Sequence, residues 1–173
     1  MALDATVGSS TANSYVSQAT ANSYLTTERL YDSVWVAAVS ADRDRALIWS
    51  TFLLDVSFDW DGSKMTLVQA LRWPRAGATD SDGYNIAATV IPPILEKAVS
   101  TLALYLLSQD RIIEPSLIGL GISDAKVGPI QVKIDPEQTK DLIPDDIRIM
   151  LETIGSLKGG TTHGGQVLTL KRG

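Results

Sequence analysis

The amino-acid sequence predicts a mainly α-helical fold, a small bundle of about four helices with a β-hairpin, a long central loop and an extended C-terminal tail. Four segments carry apolar residues at the three- and four-residue spacing of a helix, and one segment near residue 130 alternates apolar and polar residues. Residues 58–91 are rich in turn-forming residues instead. The chain has 173 residues, 45% of them hydrophobic, which suits one domain with a buried core.

The first two helices are predicted from their start signals. Ser17 can cap a helix over about residues 18–30, because its hydroxyl can accept a bond from a free backbone N–H of the first turn. Asp42 stands in the first turn of a second helix over about residues 41–57, where a carboxylate interacts favourably with the helix dipole. The apolar stripe of this helix is wide and includes Trp49, so we expect burial on more than one side.

The other two helices begin at prolines. Pro92 and Pro93 open a third helix that continues to about residue 109, and its almost unbroken apolar sequence predicts the central helix of the core. Pro144 opens the last helix, which Gly155 ends.

A β-hairpin is predicted near residues 123–134, where isoleucine and valine alternate with polar residues. Its turn is formed by Val127, Gly128, Pro129 and Ile130. Because an isolated hairpin is marginally stable in water, we expect it to rest on the helices or on a neighbouring subunit.

Charge and composition divide the chain into three parts. Residues 1–14 are small and polar and are interpreted as an N-terminal arm, residues 15–155 as a helical domain, and residues 156–173 as a flexible C-terminal tail. The tail carries a net charge of +3, whereas the whole chain carries −5, so a basic tail is attached to an acidic body.

No catalytic, cofactor-binding or metal-binding residues are predicted, and we expect the protein not to be an enzyme. The chain has no cysteine, and its one histidine, His163, lies in the glycine-rich tail. The aspartates of residues 59–62 and 80–83 resemble only fragments of a calcium-binding loop and are interpreted as solvated turn residues. Gly119 and Gly121 lack the remaining residues of a phosphate-binding loop.

The cluster Arg72, Trp73, Pro74 and Arg75 is the most unusual local sequence. One interpretation is a loop anchored by a buried tryptophan. The other is an inter-subunit clamp, in which the arginines pair with carboxylates of a neighbour. The sequence favours neither.

Several motifs occur in an order that resembles one known family. They are Asn13-Ser14-Tyr15-Val16, Trp35, Arg45-Ala46-Leu47-Ile48, Gln69-Ala-Leu71-Arg-Trp73-Pro74-Arg75, and Ile91-Pro92 before the apolar helix. Over about residues 13–154 the chain resembles the head-to-tail adaptors of tailed bacteriophages, also called head-tail connector or head-completion proteins.

This resemblance implies a structural virion protein that forms a ring, usually of twelve copies, under the portal, and is made in the host cytoplasm. Its partners would be the portal protein and tail proteins, and DNA would pass through the lumen without specific binding. The resemblance places the portal-docking segment at the C-terminus, on Gln166, Val167, Leu168, Thr169, Leu170, Lys171 and Arg172. Strand addition to the portal is the hypothesised mode of docking.

Two alternatives come from other classes. One is a single-stranded-DNA-binding replication protein that uses Trp60, Trp73, Arg72 and Arg75 as a stacking strip. The net charge of −5 weighs against a large phosphate-neutralising surface. The other is a small hydrolase built on the aspartate-rich loop, although its carboxylates lack the spacing of a general acid and base pair.

Overall fold

The computed structural model describes residues 2–108, 124–127, 130–133 and 142–158. In this part of the chain the fold is mixed, with five α-helices and three two-stranded antiparallel sheets. The helices are α1 (Gln18–Thr27), α2 (Ser33–Ala37), α3 (Ser40–Ser57), α4 (Pro93–Ser108) and α5 (Asp145–Leu151). The strands are β1 (Phe58–Trp60), β2 (Ser63–Lys64), β3 (Arg75–Ala76), β4 (Asp124–Val127), β5 (Ile130–Lys133) and β6 (Gly155–Leu157).

The expectation of a mainly helical bundle is therefore too narrow. The strands that it lacks, β1, β2, β3 and β6, are two or three residues long. A segment of this length is too short to show the alternation by which a strand is recognised in a sequence.

Helix α4 is the centre of the core, as its apolar sequence predicts. Each of the other four described helices contacts it. Its fully buried apolar residues are Leu95, Ala98, Val99, Leu102 and Ala103. Removal of this much apolar surface from water is the main favourable term in folding, so α4 positions the other helices.

The N-terminal helices are held by specific polar contacts. The Ser17 hydroxyl accepts a hydrogen bond from the Thr20 N–H at 3.1 Å, which confirms the predicted cap of α1. Helix α2 is not predicted from the sequence. It carries the buried Trp35, whose indole N–H donates to Asn22 Oδ1 of α1 at 2.7 Å and whose carbonyl accepts from Arg43 Nε of α3 at 2.9 Å.

Strands β1 and β6 join two distant parts of the sequence. They pair antiparallel, with Phe58 opposite Leu157 and Trp60 opposite Gly155. A Cβ atom on Gly155 would lie 2.9 Å from the Asp59 carbonyl oxygen, so only glycine allows this close approach. Residues 156 and 157, which the sequence assigns to the tail, thus belong to a sheet of the folded body.

The predicted hairpin is present in the backbone, since β4 pairs with β5 in a register that sets Val127 opposite Ile130. Gly128 and Pro129, the other two residues of the predicted turn, lie outside the described residues. The segment Gln166–Arg172, the predicted portal-docking segment, also lies outside them.

The segment of residues 2–14 forms a closed loop against the body. The Asp4 carbonyl accepts from the backbone N–H groups of Asn13 and Ser14, at 2.9 and 3.1 Å. The Ser9 carbonyl accepts a hydrogen bond from the Ala70 N–H at 3.0 Å. This bond joins the loop to residues 58–91, the central region of the chain. Among the described helices, none has the length and apolar composition needed to span a bilayer.

Candidate functional site

Trp73, the aromatic residue of the Arg72–Arg75 cluster, is a core residue. Its side chain is buried and meets Trp60 edge to face, with ring centroids 6.2 Å apart. Trp60 is also buried and stacks on Phe58 at 5.1 Å. Base stacking requires an exposed ring face. The predicted strip of Trp60 and Trp73 is therefore wrong as a stacking surface, because the fold uses both rings to fill the core.

Arg75 bonds to its own chain. Its guanidinium donates to the carbonyl oxygens of Trp60 at 3.1 Å, Asp61 at 2.6 Å, Gly62 at 2.6 Å and Arg72 at 3.2 Å. The planar group with its five N–H donors can satisfy several carbonyls at once. This contact fixes the turn that follows β1. Contact of Arg72 or Arg75 with a second subunit stays a prediction.

A polar network of Tyr15 and Asp55 holds the backbone of the Arg72–Arg75 cluster. The Tyr15 hydroxyl donates to the Asp55 carboxylate and accepts from the backbone N–H groups of Arg72 and Trp73, at 3.1 and 3.2 Å. The second carboxylate oxygen of Asp55 accepts from the Arg72 N–H at 3.1 Å. Burial raises the pKa of Asp55, and it raises the pKa of Tyr15 well above its usual range. Tyr15 is buried and Asp55 is partly buried, and the hydrogen bonds of both support the loop.

An exposed aromatic pair lies on the outer face of α3. The rings of Trp49 and Phe52 stack on each other, with centroids 5.0 Å apart and planes inclined by 18°. Trp49 is 42% exposed and Phe52 is 48% exposed. Of the four tryptophans, Trp49 is the exposed one.

The sequence interpretation of Trp49 as part of a buried stripe is therefore wrong. Helix α3 has two apolar stripes, and the stripe buried against the core contains the small residues Ser50 and Thr51 beside Leu47 and Leu54. The residues Trp49, Phe52 and Val56 follow one another at spacings of three and four on the outer stripe. The sequence thus contains this second stripe, but its spacing alone does not indicate which stripe faces solvent.

Arg45 adds a positive charge beside the pair. It lies one helical turn before Trp49, and its side chain is exposed and forms an ion pair with Asp42. A cleft of about 330 Å³ separates this part of α3 from the end of α4. Its walls are Asp42, Arg45, Ala46, Trp49, Leu106 and Leu107. Together these residues offer a flat aromatic surface, a shallow apolar cleft and one guanidinium.

The aspartates of the central region form turns. The Asp80 carboxylate accepts from the backbone N–H groups of Asp82 and Tyr84, at 3.0 and 2.8 Å. In the described part of the chain, no group of three or more His, Cys, Asp or Glu side chains is placed to hold a metal ion.

Comparison with known proteins gives one result for the whole chain. A family model described as "Putative DnaT-like ssDNA binding protein" matches residues 1–173. No curated protein and no solved structure matches the chain. The match overturns the resemblance to bacteriophage head-to-tail adaptors, together with the portal and tail partners and the passive DNA channel that it implied. The chain belongs to the DnaT-like family that this model describes.

Proposed function

We propose that the protein binds single-stranded DNA without catalysis, and that the exposed pair Trp49 and Phe52 on α3 is the surface on which unpaired bases stack. Membership of a family described as binding single-stranded DNA supports this function. The observation that carries the assignment to a site is the exposure of two mutually stacked rings on one rigid helix.

Stacking suits this surface because every base has a π face. Alanine substitution of a stacking side chain weakens binding by about 1–3 kcal/mol per base, and the interaction tolerates any sequence. The two rings are fixed on successive turns of α3 and supported by each other. An additional base on the outer face of either ring would continue the stack, whereas the paired bases of a duplex do not offer free faces.

The charge of the protein predicts how electrostatic attraction and base stacking compare at this site. The net charge of −5 opposes a broad electrostatic attraction to phosphates, and Arg45 is the cation beside the aromatic pair. The logarithm of the affinity for a single strand falls linearly with the logarithm of the salt concentration, with a slope of roughly −0.7 for each phosphate contacted. We therefore expect the affinity to fall only slightly with salt, with a slope that corresponds to roughly one phosphate contact. Stacking should make the larger contribution to the binding free energy.

Tryptophan fluorescence tests this site directly. Trp35, Trp60 and Trp73 are buried, so quenching of the protein's emission by an oligothymidylate reports on Trp49. Anisotropy of a labelled oligonucleotide measures the affinity independently of the intrinsic fluorophore. W49A should weaken binding roughly tenfold, which corresponds to the loss of one stacked base.

A matched control is the exposed Tyr84 on another part of the surface. Y84A should leave the affinity unchanged. If the wild type binds the labelled strand without any quenching, the site is wrong although the function stands. If it does not bind the strand at all, the function is wrong.

A further inference from the structure

The loop between β2 and β3 presents an aliphatic tip to solvent. The tip is formed by residues 65–68, and Leu67 is 99% exposed and Val68 is 72% exposed. Exposed apolar residues that adjoin one another on a folded loop are typical of an interaction surface.

The tip is held in one conformation by the buried Gln69. The side-chain oxygen of Gln69 accepts from the Thr66 N–H at 2.9 Å, and its side-chain nitrogen donates to the carbonyls of Leu71 and Pro74 at 3.0 and 3.1 Å. Lys64 Nζ donates to the Gln69 carbonyl at 3.0 Å. A tip fixed in this way loses little conformational entropy when it binds.

A cleft that would accept such a tip lies elsewhere on the same chain. It has a volume of about 520 Å³ and is formed by the segment of residues 80–90, the start of α4 and the end of α5. Its apolar lining includes Ile86, Val90, Ile94, Ile149 and Met150. Ile149 is 60% exposed, so this cleft presents a large apolar side chain to solvent.

Opposite charges lie beside the tip, at Lys64, and in the lining of the cleft, at Asp80. Residues 62–79 contain Lys64, Arg72 and Arg75 and no acidic residue. Asp80 is the charged residue in the lining of the cleft, and the exposed Asp82 follows it two positions later. Complementary charge of this kind orients two surfaces and favours their encounter.

We propose that the tip of one copy of this chain inserts Leu67 and Val68 into the cleft of a second copy. Because Leu67 is almost fully exposed, it does not occupy the cleft of its own chain. The contact joins two different patches, so a pair of copies still has one tip and one cleft free, and association continues as concentration rises. The proposal does not depend on DNA binding by α3.

Sedimentation velocity of the full chain, without DNA, tests the contact. The average mass of the wild type should rise with concentration. L67D places a charge on the tip and I149D places one in the cleft, and each variant should sediment as a monomer. An equimolar mixture of the two should form a dimer and nothing larger, because the intact tip of I149D fits the intact cleft of L67D.

Two further variants and a measurement of folding serve as controls. L30D changes another exposed leucine outside both surfaces and should associate as the wild type does. V68D is a second tip variant, and circular dichroism verifies that all variants are folded. A wild type that stays monomeric at every concentration overturns the proposal, and so does a mixture of L67D and I149D that remains monomeric.

Discussion

The hydroxyl of Tyr15 donates to the carboxylate of Asp55, a residue 40 positions later at the end of α3. The two side chains also accept hydrogen bonds from the backbone N–H groups of Arg72 and Trp73. Three segments of the chain, one before α1, one in α3 and one in the central region, are therefore fixed at a single buried point.

Replacement of Tyr15 by phenylalanine should destabilise the fold. Y15F removes the acceptor of the Trp73 N–H and the donor to Asp55. A buried polar group left without a partner costs about 1–3 kcal/mol, and the free energy of unfolding in urea should fall by that amount. Y31F, at an exposed tyrosine, is the matched control and should have no effect. An unchanged midpoint for Y15F would contradict this role.

The Asp55 carboxyl should make stability depend on pH. Burial raises its pKa above the ordinary value of 3.8, so the folded state binds this proton more tightly than the unfolded state does. Its contribution to stability is therefore fully present below pH 3.8 and is lost as pH rises through the raised pKa.

Unfolding free energies of the wild type and D55N, measured from acid to neutral pH, isolate this contribution. The free energy of unfolding of the wild type should fall relative to that of D55N as pH rises from 3.8 through the raised pKa of Asp55. A difference that does not change with pH would show that Asp55 has an ordinary pKa in the fold.

Gly155 should not tolerate a side chain. In G155A the new Cβ would lie 2.9 Å from the Asp59 carbonyl oxygen and 3.0 Å from Cε3 of Trp60. Forced overpacking of this kind costs about 1–3 kcal/mol, which thermal or urea unfolding measures. S156A changes the exposed neighbour in the same strand and should be neutral. Equal stability of both variants would mean that β1 and β6 can move apart freely.

Removal of the acid that pairs with Arg45 should strengthen binding of a single strand. In D42N the guanidinium is released from its ion pair and becomes available to a phosphate. The gain should be roughly two- to fivefold, the equivalent of a surface ion pair. D61N makes the same change of charge at an exposed site outside α3 and measures the general effect of charge. Identical gains in the two variants would exclude a specific role of Arg45.

The sequence predicts those elements whose signals are local. The Ser17 cap, the prolines that precede α4 and α5, and the alternation around Ile130 each determine an element within a few residues. The pairing of Phe58 with Leu157 joins segments whose local sequence carries no sign of the partner, so β1 and β6 are not predictable in this way.

The exposed surface is harder to predict, because the same residue types serve both roles. Trp49 and Trp73 are chemically identical, and only the packing of α3 on α4 and of Trp73 on Trp60 decides which ring meets solvent. A helix with two apolar stripes does not show which of them faces the core until its neighbours are known. The choice of Trp60 and Trp73 as a stacking strip failed for this reason.

The pairing of β1 with β6 has a consequence for biosynthesis. A ribosome delivers the chain from the N-terminus, and Trp60 emerges long before Gly155. Until Leu157 has left the exit tunnel, the open edge of β1 has no partner in its sheet, however complete the packing of α3 and α4. The β1–β6 sheet therefore forms only after residues 155–157 have been synthesised, and a nascent chain that stalls before residue 155 exposes an unprotected strand.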